Sequence, residues 1–186
     1  MRPLTALLIA LGIAYGVSLT SPAHAEKADR DKPTVVDSDK LDHDDAKQIT
    51  IFTGNVVLTK GTLVMRGDRL ELWQDAGGNY FGIMTGRPAK FRQKRDGGNE
   101  YMDGEGQRAD YDGKTEIVVL TNNAIMRRYD GDVLRDSVAG DRLTYNNVTD
   151  RYNVDSSTGQ GRSRMLLMPK SEVVPGKSPQ TKSTPR

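Results

Sequence analysis

Apolar and polar residues alternate along most of the chain with the period of two that is typical of β-strands. Short runs rich in Val, Ile, Leu, Thr and Tyr are separated by Gly, Asn and Asp, and between residues 33 and 168 proline occurs only as Pro33 and Pro88. The alternation places one apolar row on one face of a sheet, as in the pairs Ile49/Ile51, Leu63/Met65, Leu70/Leu72 and Leu143/Tyr145. The pattern predicts an all-β domain of short antiparallel strands.

An internal repeat underlies this strand pattern. Two blocks of residues recur along the chain. The first begins Gly-x-Arg and stands at 67–72, 106–111 and 140–145, with a degenerate copy at 38–43. The second begins Thr-x-Asn and stands at 53–58 and 121–126, with a weaker copy at 85–91. Gly and Asn tolerate the backbone conformations of a corner or a β-bulge, so the chain is expected to turn at these blocks. One unit cannot bury its own apolar face, whereas stacked units enclose a continuous interior between two open sheet edges.

The apolar row of the predicted strands is the candidate lining of that interior. It comprises Val36, Ile49, Ile51, Val56, Leu58, Leu63, Met65, Leu70, Leu72, Phe91, Tyr111, Ile117, Val119, Met126, Leu143 and Tyr145. The same pattern would also give a closed sandwich with a dry core, because both arrangements bury one face of each strand. The pattern alone therefore leaves two interpretations, a trough for an apolar ligand and a structural or interaction module.

The start of the chain has the form of a cleaved signal peptide over residues 1–25. Arg2 supplies the positive start, an apolar run follows at 4–19, and Ala23-His24-Ala25 supplies the small-x-small cleavage site. The alternative is an uncleaved membrane anchor, but the run is shorter than the roughly 20 residues of a spanning helix. Export to the periplasm is therefore expected.

The remaining chain divides into three parts by composition. Residues 26–32 are polar and are expected to be flexible, residues 33–169 to form the β-domain, and residues 170–186 to be a disordered tail. The 27 Lys and Arg nearly balance the 25 Asp and Glu, which gives no electrostatic basis for binding nucleic acid. The absence of cysteine excludes disulfides and thiolate chemistry.

Candidate catalytic and metal-binding groups are few. His43 is the only histidine after the predicted leader, and no Gly-x-Ser-x-Gly motif accompanies it. The acidic run at 37–45 lacks the spaced Gly and the distal Glu of a calcium loop, so it is interpreted as a solvated turn. No catalytic residue, metal or cofactor is predicted, although a periplasmic hydrolase that uses two carboxylates stays as a disfavoured alternative.

The order of the repeat blocks resembles the LptA family of lipopolysaccharide export proteins, also called OstA-like. The similar residues are the blocks at 52–62 (FTGNVVLTKGT), 118–124 (VVLTNNA) and 140–145 (GDRLTY), and the resemblance extends over about 33–169. One departure is Asn122, where the family pattern has Gly, but Asn also accepts left-handed backbone geometry. The resemblance implies an elongated, twisted β-jellyroll that is open at both ends and is not an enzyme.

The resemblance also implies a ligand and partners. The ligand is lipopolysaccharide, whose acyl chains move along the apolar interior, and Thr34, Val36, Phe91 and Tyr111 fall where the family contacts them. The partners are further copies joined head to tail, an LptC-like inner-membrane protein and an LptD-like outer-membrane protein. The strands expected to pair at the two ends are 34–37 and 162–168.

Overall fold

The described residues fold into ten antiparallel strands. The computed structural model describes residues 29, 32–95, 98–156 and 161–169. The strands are β1 (Thr34–Asp37), β2 (Lys40–Asp44), β3 (Ile49–Lys60), β4 (Leu63–Gln74), β5 (Tyr80–Lys94), β6 (Glu100–Asp112), β7 (Ile117–Asp130), β8 (Val133–Asn146), β9 (Arg151–Asp155) and β10 (Arg164–Leu167). The predicted all-β class is confirmed, but the central strands run through the predicted kinks as single strands of 12–15 residues.

All ten strands belong to one sheet that is not closed. The pairing order is β1-β3-β4-β5-β6-β7-β8-β10, with β2 also on β3 and β9 also on β8. From β2 to β9 each strand pairs with the next one along the chain through a short turn, which keeps most contacts between successive repeat units. The sheet therefore ends in β1 and β2 on one side and in β9 and β10 on the other, as predicted for a jellyroll with open ends.

Each long strand bends at a break in its pairing register. The breaks lie between Thr53 and Val56, Arg66 and Arg69, Thr85 and Ala89, Glu105 and Arg108, and Thr121 and Ala124. Unpaired residues at a bulge bend the strand that carries them. Because the breaks face one another from strand to strand, the whole sheet folds along one line, and the repeated Gly and Asn blocks stand on that line.

The fold line divides the sheet into two layers. β2 pairs with β3 before its break and β1 pairs with β3 after it. At the other end β10 pairs with the first half of β8 and β9 with the second half. One layer therefore ends in β2 and β9, and we call it the β2/β9 layer; the other is the β1/β10 layer. Opposite the fold line, the free margins of the two layers face each other along a line that we call the seam.

The residues at the corners have the backbone geometry that the sequence predicts for them. Gly54 has a φ of +82°, and Asn55, Asn122 and Asn123 also have positive φ values. A Cβ atom on Gly54 would lie 2.4 Å from Oδ2 of Asp39, so both its φ and its surroundings require glycine. Asn122 adopts the left-handed geometry that Gly would supply, which explains why Asn serves at this corner.

The predicted leader at 1–25 and the predicted tail at 170–186 lie outside the described residues. Of the segment expected to be flexible, 26–32, the structure describes only Asp29 and Lys32. Within the described part of the chain, no helix has the length and apolar composition needed to cross a membrane.

Candidate functional site

The space between the two layers is filled by one continuous apolar cluster, which is the candidate site. Most predicted lining residues contribute to it. Those that are buried are Val56, Leu58, Leu63, Met65, Leu70, Phe91, Met126, Leu143 and Tyr145, while Val36, Leu72 and Tyr111 are partly buried against them. Thr34 shares the face of Val36 in β1, because residues two apart in a strand point the same way. The structure brings all of these predicted residues together.

Four predicted lining residues point away from the interior, and for these the prediction is wrong. Ile49 and Ile51 are absent from the buried cluster of described residues, whereas their neighbour Phe52 belongs to it. In the same way Ile117 and Val119 alternate with the buried Val118 and Leu120. The reason is that both faces of these strands carry apolar residues, so alternation alone could not identify the inner face.

Sequence reasoning also missed part of the lining. The buried residues that it did not name are Phe52, Met84, Ala89, Met102, Ala109, Val118, Leu120, Ala124 and Val138. A signal for three of them stands in the sequence: Phe52, Met84 and Leu120 each lie two residues before a corner, at Gly54, Gly86 and Asn122. Counting back from the corner in steps of two would therefore have identified the inner face.

Contacts across the interior hold the two layers together. The rings of Phe91 in β5 and Tyr145 in β8 stack with their centroids 6.3 Å apart, although these strands are not neighbours in the sheet. Phe91 is 2% exposed, and its ring covers Gly104 so closely that a Cβ atom there would lie 2.1 Å from Cε1. Because Gly104 has no side chain, the aromatic ring of Phe91 can occupy the space above it.

Methionines give the interior an adaptable lining. Met65, Met84, Met102 and Met126 are all buried, one in each of β4, β5, β6 and β7. The unbranched thioether chain has several rotatable bonds and adapts its packing more readily than a branched side chain. A row of methionines across successive strands can therefore repack around an inserted chain of variable position.

A buried carboxylate lies at the seam near the β1 end. Asp29 is 6% exposed and accepts hydrogen bonds from the backbone N–H of Thr62 (2.8 Å), from its hydroxyl and from Nε2 of Gln93 (3.5 Å). The gap beside it, lined by Leu63, Tyr111 and other residues of both margins, has a volume of about 10 Å³. This volume is at the lower limit for a single water molecule, so the layers are in contact here.

The seam is closed nearer the β9 end by ionic groups. Arg95 pairs with Asp150 and with Glu100, and the hydroxyl of Tyr145 donates to Oδ1 of Asp150 over 2.9 Å. The hydrogen bond to Asp150 raises the pKa of Arg95, and burial, followed by the charge of Asp150, raises the pKa of Tyr145. A cavity of about 260 Å³, lined among others by Met102, Tyr145 and Leu167, lies beside this group.

The two ends of the sheet carry exposed apolar strands. In β10 all four residues are exposed, and Leu167 is 66% exposed. At the other end Val35 of β1 is exposed as well. Each of β1 and β10 pairs on one side only among the described strands. Both ends therefore present a free edge with apolar side chains, the arrangement that favours strand addition.

The polar groups singled out in the sequence lie outside the interior. Nδ1 of His43 lies 2.9 Å from Oγ1 of Thr50 on the exposed β2/β3 hairpin. In the acidic run, Asp44 accepts hydrogen bonds from Lys47, one of them from its ammonium group at 2.6 Å. Within the described residues no group of three or more His, Cys, Asp or Glu side chains is placed to hold a metal ion.

The fold and the lined interior define a class of protein, an open-ended antiparallel β-jellyroll with an apolar space between its layers. The family described as "LptA/(LptD N-terminal domain) LPS transport protein" matches residues 35–151. This chain belongs to that family, as the resemblance of its repeat blocks indicated.

Curated relatives and a solved structure agree with this assignment. The lipopolysaccharide export system protein LptA of Haemophilus influenzae is 30% identical over 162 residues, covering 86% of this chain and 90% of the relative. The LptA of Escherichia coli K12 is 29% identical over 148 residues, covering 78% and 77%. The crystal structure of LptH, the LptA-homologous periplasmic component of the lipopolysaccharide transport device of Pseudomonas aeruginosa, has a TM-score of 0.68 and 25% identity, covering 76% of this chain and 99% of that one. The names of these relatives are those of transport components.

Proposed function

We propose that this protein is a periplasmic carrier that binds the acyl chains of lipopolysaccharide between its two layers and passes the lipid toward the outer membrane. The observation that carries the proposal is the continuous apolar cluster, which runs from Val36 of β1 to Val154 of β9 without leaving the space between the layers. Because the chain belongs to the lipopolysaccharide transport family, the ligand that we propose is lipopolysaccharide. The predicted leader and the periplasmic location of the LptH relative support export across the inner membrane.

The physical basis of the carrier is burial of hydrocarbon. Each methylene removed from water contributes about 0.8 kcal/mol, so an acyl chain of a dozen carbons gains about 10 kcal/mol inside the protein. The interior is closely packed without a ligand, and the chains therefore enter by displacing side chains. The buried methionines can repack around an inserted chain, and the narrow gap at the seam can widen. The two layers then separate at the seam while the backbone pairing within the sheet stays intact.

Lipid movement in this proposal is passive. The protein supplies a continuous apolar path, and the energy for transport comes from other components. A path that crosses the periplasm needs more than one unit, and the free edges of β1 and β10 supply the means of joining them. We propose that copies join head to tail by pairing β10 of one with β1 of the next, and that LptC-like and LptD-like partners use the same two ends.

Photo-crosslinking in cells tests the interior path. The chain offers a matched pair of positions in β7, since Val118 is buried inside and Val119 lies on the outer face. A photoreactive residue at Val118 is expected to yield lipopolysaccharide adducts, as are residues at Val36, Phe91 and Tyr111, while the same residue at Val119 yields none. Adducts at neither position, in a protein that is folded and exported, would refute the carrier and favour the interaction module with a dry core.

A further inference from the structure

A groove at the outer side of the seam is lined by three lysines. Its volume is about 590 Å³, and its lining includes Lys32 before β1, Lys60 at the end of β3 and Lys114 in the β6/β7 turn. The described residues that line the groove include no acidic side chain; its other members are Pro, Thr, Gly, Asn and Tyr. Resting on the proposed function, we propose that this groove binds the phosphorylated headgroup of the lipid whose acyl chains lie between the layers.

The groove lies where the headgroup of such a lipid must emerge. Lys32 and Lys60 belong to the margin of the β1/β10 layer, and Lys114 belongs to the facing margin of the β2/β9 layer. Lys60 also lines the narrow gap that leads between Leu63 and Val118 into the buried cluster. A molecule held by the lysines therefore has its apolar part directed toward the interior.

The carboxylates nearest to the lysines already have partners. Oδ1 of Asp75 accepts hydrogen bonds from the backbone N–H groups of Gly77 and Asn79, both at 2.9 Å. Oδ1 of Asp112 accepts from the backbone N–H groups of Lys114 and Thr115. On the interior side of Lys60, Asp29 is held by Thr62 and Gln93. These acids stabilise the turns behind the groove, and the charges of Asp75 and Asp112 interact with that of Lys114. None of the three carboxylates lines the groove itself, where an anion would meet the lysines.

The chemistry of the groove favours a phosphate ester over other ligands. Three ammonium groups from separate segments supply point charges and rotatable donors, which suit an oxyanion that carries more than one negative charge. The groove is far larger than a single phosphate ion and adjoins an apolar interior, which points to a lipid headgroup and not to a free ion. Because the site spans both layers, an occupied groove would also hold the seam around the lipid.

The test compares two triple variants of equal charge change. Variant K32Q/K60Q/K114Q removes the proposed site, and variant K40Q/K47Q/K90Q removes three other lysines that are exposed on the surface. Binding of lipopolysaccharide, of the same lipopolysaccharide after enzymatic removal of its phosphates, and of inorganic phosphate is measured by titration calorimetry. The first variant is expected to bind the phosphorylated lipid at least about tenfold more weakly than wild type, and the control within about twofold. All three proteins are expected to bind the dephosphorylated lipid equally.

Other outcomes would overturn the inference in distinguishable ways. Equal binding of phosphorylated lipid by wild type and by K32Q/K60Q/K114Q refutes the headgroup site while leaving the carrier intact. Tight binding of inorganic phosphate by wild type alone, at concentrations similar to the lipid, would assign the groove to a free anion. If wild type binds neither form of the lipid, the proposed function itself fails. Should the triple variant not fold, single variants K60Q and K114Q give the same comparison with smaller expected losses.

Discussion

Arg95 and Asp150 form a bidentate ion pair that joins the two layers across the seam. Nη2 of Arg95 lies 2.9 Å from Oδ2 of Asp150, and Nε lies 3.2 Å from Oδ1. Arg95 follows β5 in the β1/β10 layer and Asp150 precedes β9 in the other layer, so no backbone pairing duplicates this contact. The two side chains are 22% and 20% exposed, which reduces screening by water relative to a surface pair.

Replacing Asp150 is therefore expected to weaken the closure of the seam. Asp150→Asn leaves Arg95 with Glu100 as its one charged partner among those described, and it removes the charged acceptor of the Tyr145 hydroxyl. We expect the free energy of unfolding to fall by about 1–3 kcal/mol, measured by urea denaturation. The matched control is Lys47→Gln, which breaks the exposed pair with Asp44 and should leave the stability close to that of wild type. Similar losses in the two variants would show that the pair across the seam contributes no more than a surface contact.

The buried hydroxyl of Tyr145 predicts a loss of stability at alkaline pH. Burial raises the pKa of Tyr145 in the folded protein above its unfolded value of about 10. Above pH 10 the unfolded chain releases this proton and the folded protein retains it, so the contribution of Tyr145 is complete below pH 10 and declines as the pH rises. Urea denaturation between pH 8 and about 11.5 should show wild type losing stability relative to Tyr145→Phe. Parallel profiles for the two proteins would contradict the prediction.

The sequence predicted the fold better than it predicted the faces of the strands. Alternation predicted the all-β class and the Gly/Asn blocks predicted where the chain bends, because these depend on local backbone preference and on a repeat. The orientation of Ile49 and Ile51 could not be obtained in the same way, since Phe52 of the same strand points to the other face and both faces therefore carry apolar residues. The contacts across the seam could not be predicted from the sequence for a related reason. Arg95 and Asp150 are 55 positions apart, and only the fold brings them together.

The close contact of Phe91 with Gly104 predicts a compensating pair of substitutions. Gly104→Ala places a methyl group about where Cε1 of Phe91 now lies, and we expect it to lower the free energy of unfolding by about 1–3 kcal/mol. Adding Phe91→Leu should restore part of this loss, because the smaller side chain makes room for the methyl group. Gly98→Ala, whose added Cβ would meet only the backbone nitrogen of Glu100 at 3.9 Å, is the control and should be nearly neutral. Additive losses in the double variant would contradict the contact.

The exposed strand β10 predicts the effect of a charge at one end of the molecule. Leu167 is the most exposed of its apolar residues, and its backbone pairs with Asp136 of β8 in the register of the sheet edge. If β10 of one copy adds to β1 of the next, a lysine at this position must be desolvated at the new interface. Sedimentation velocity over a range of micromolar concentrations should show that Leu167→Lys weakens self-association by about tenfold or more.

The control for this prediction is Tyr80→Lys, because Tyr80 is also exposed but opens β5 in the middle of the sheet, away from both sheet ends. Its self-association should match that of wild type. Both variants should keep the melting temperature of wild type, since neither residue is buried, which separates an effect on assembly from an effect on folding. Rods that persist in Leu167→Lys, or that are lost equally in Tyr80→Lys, would show that assembly does not use the edge of β10. The carrier would then have to span the periplasm by contacts elsewhere on its surface, and the apolar residues of β10 would need another partner.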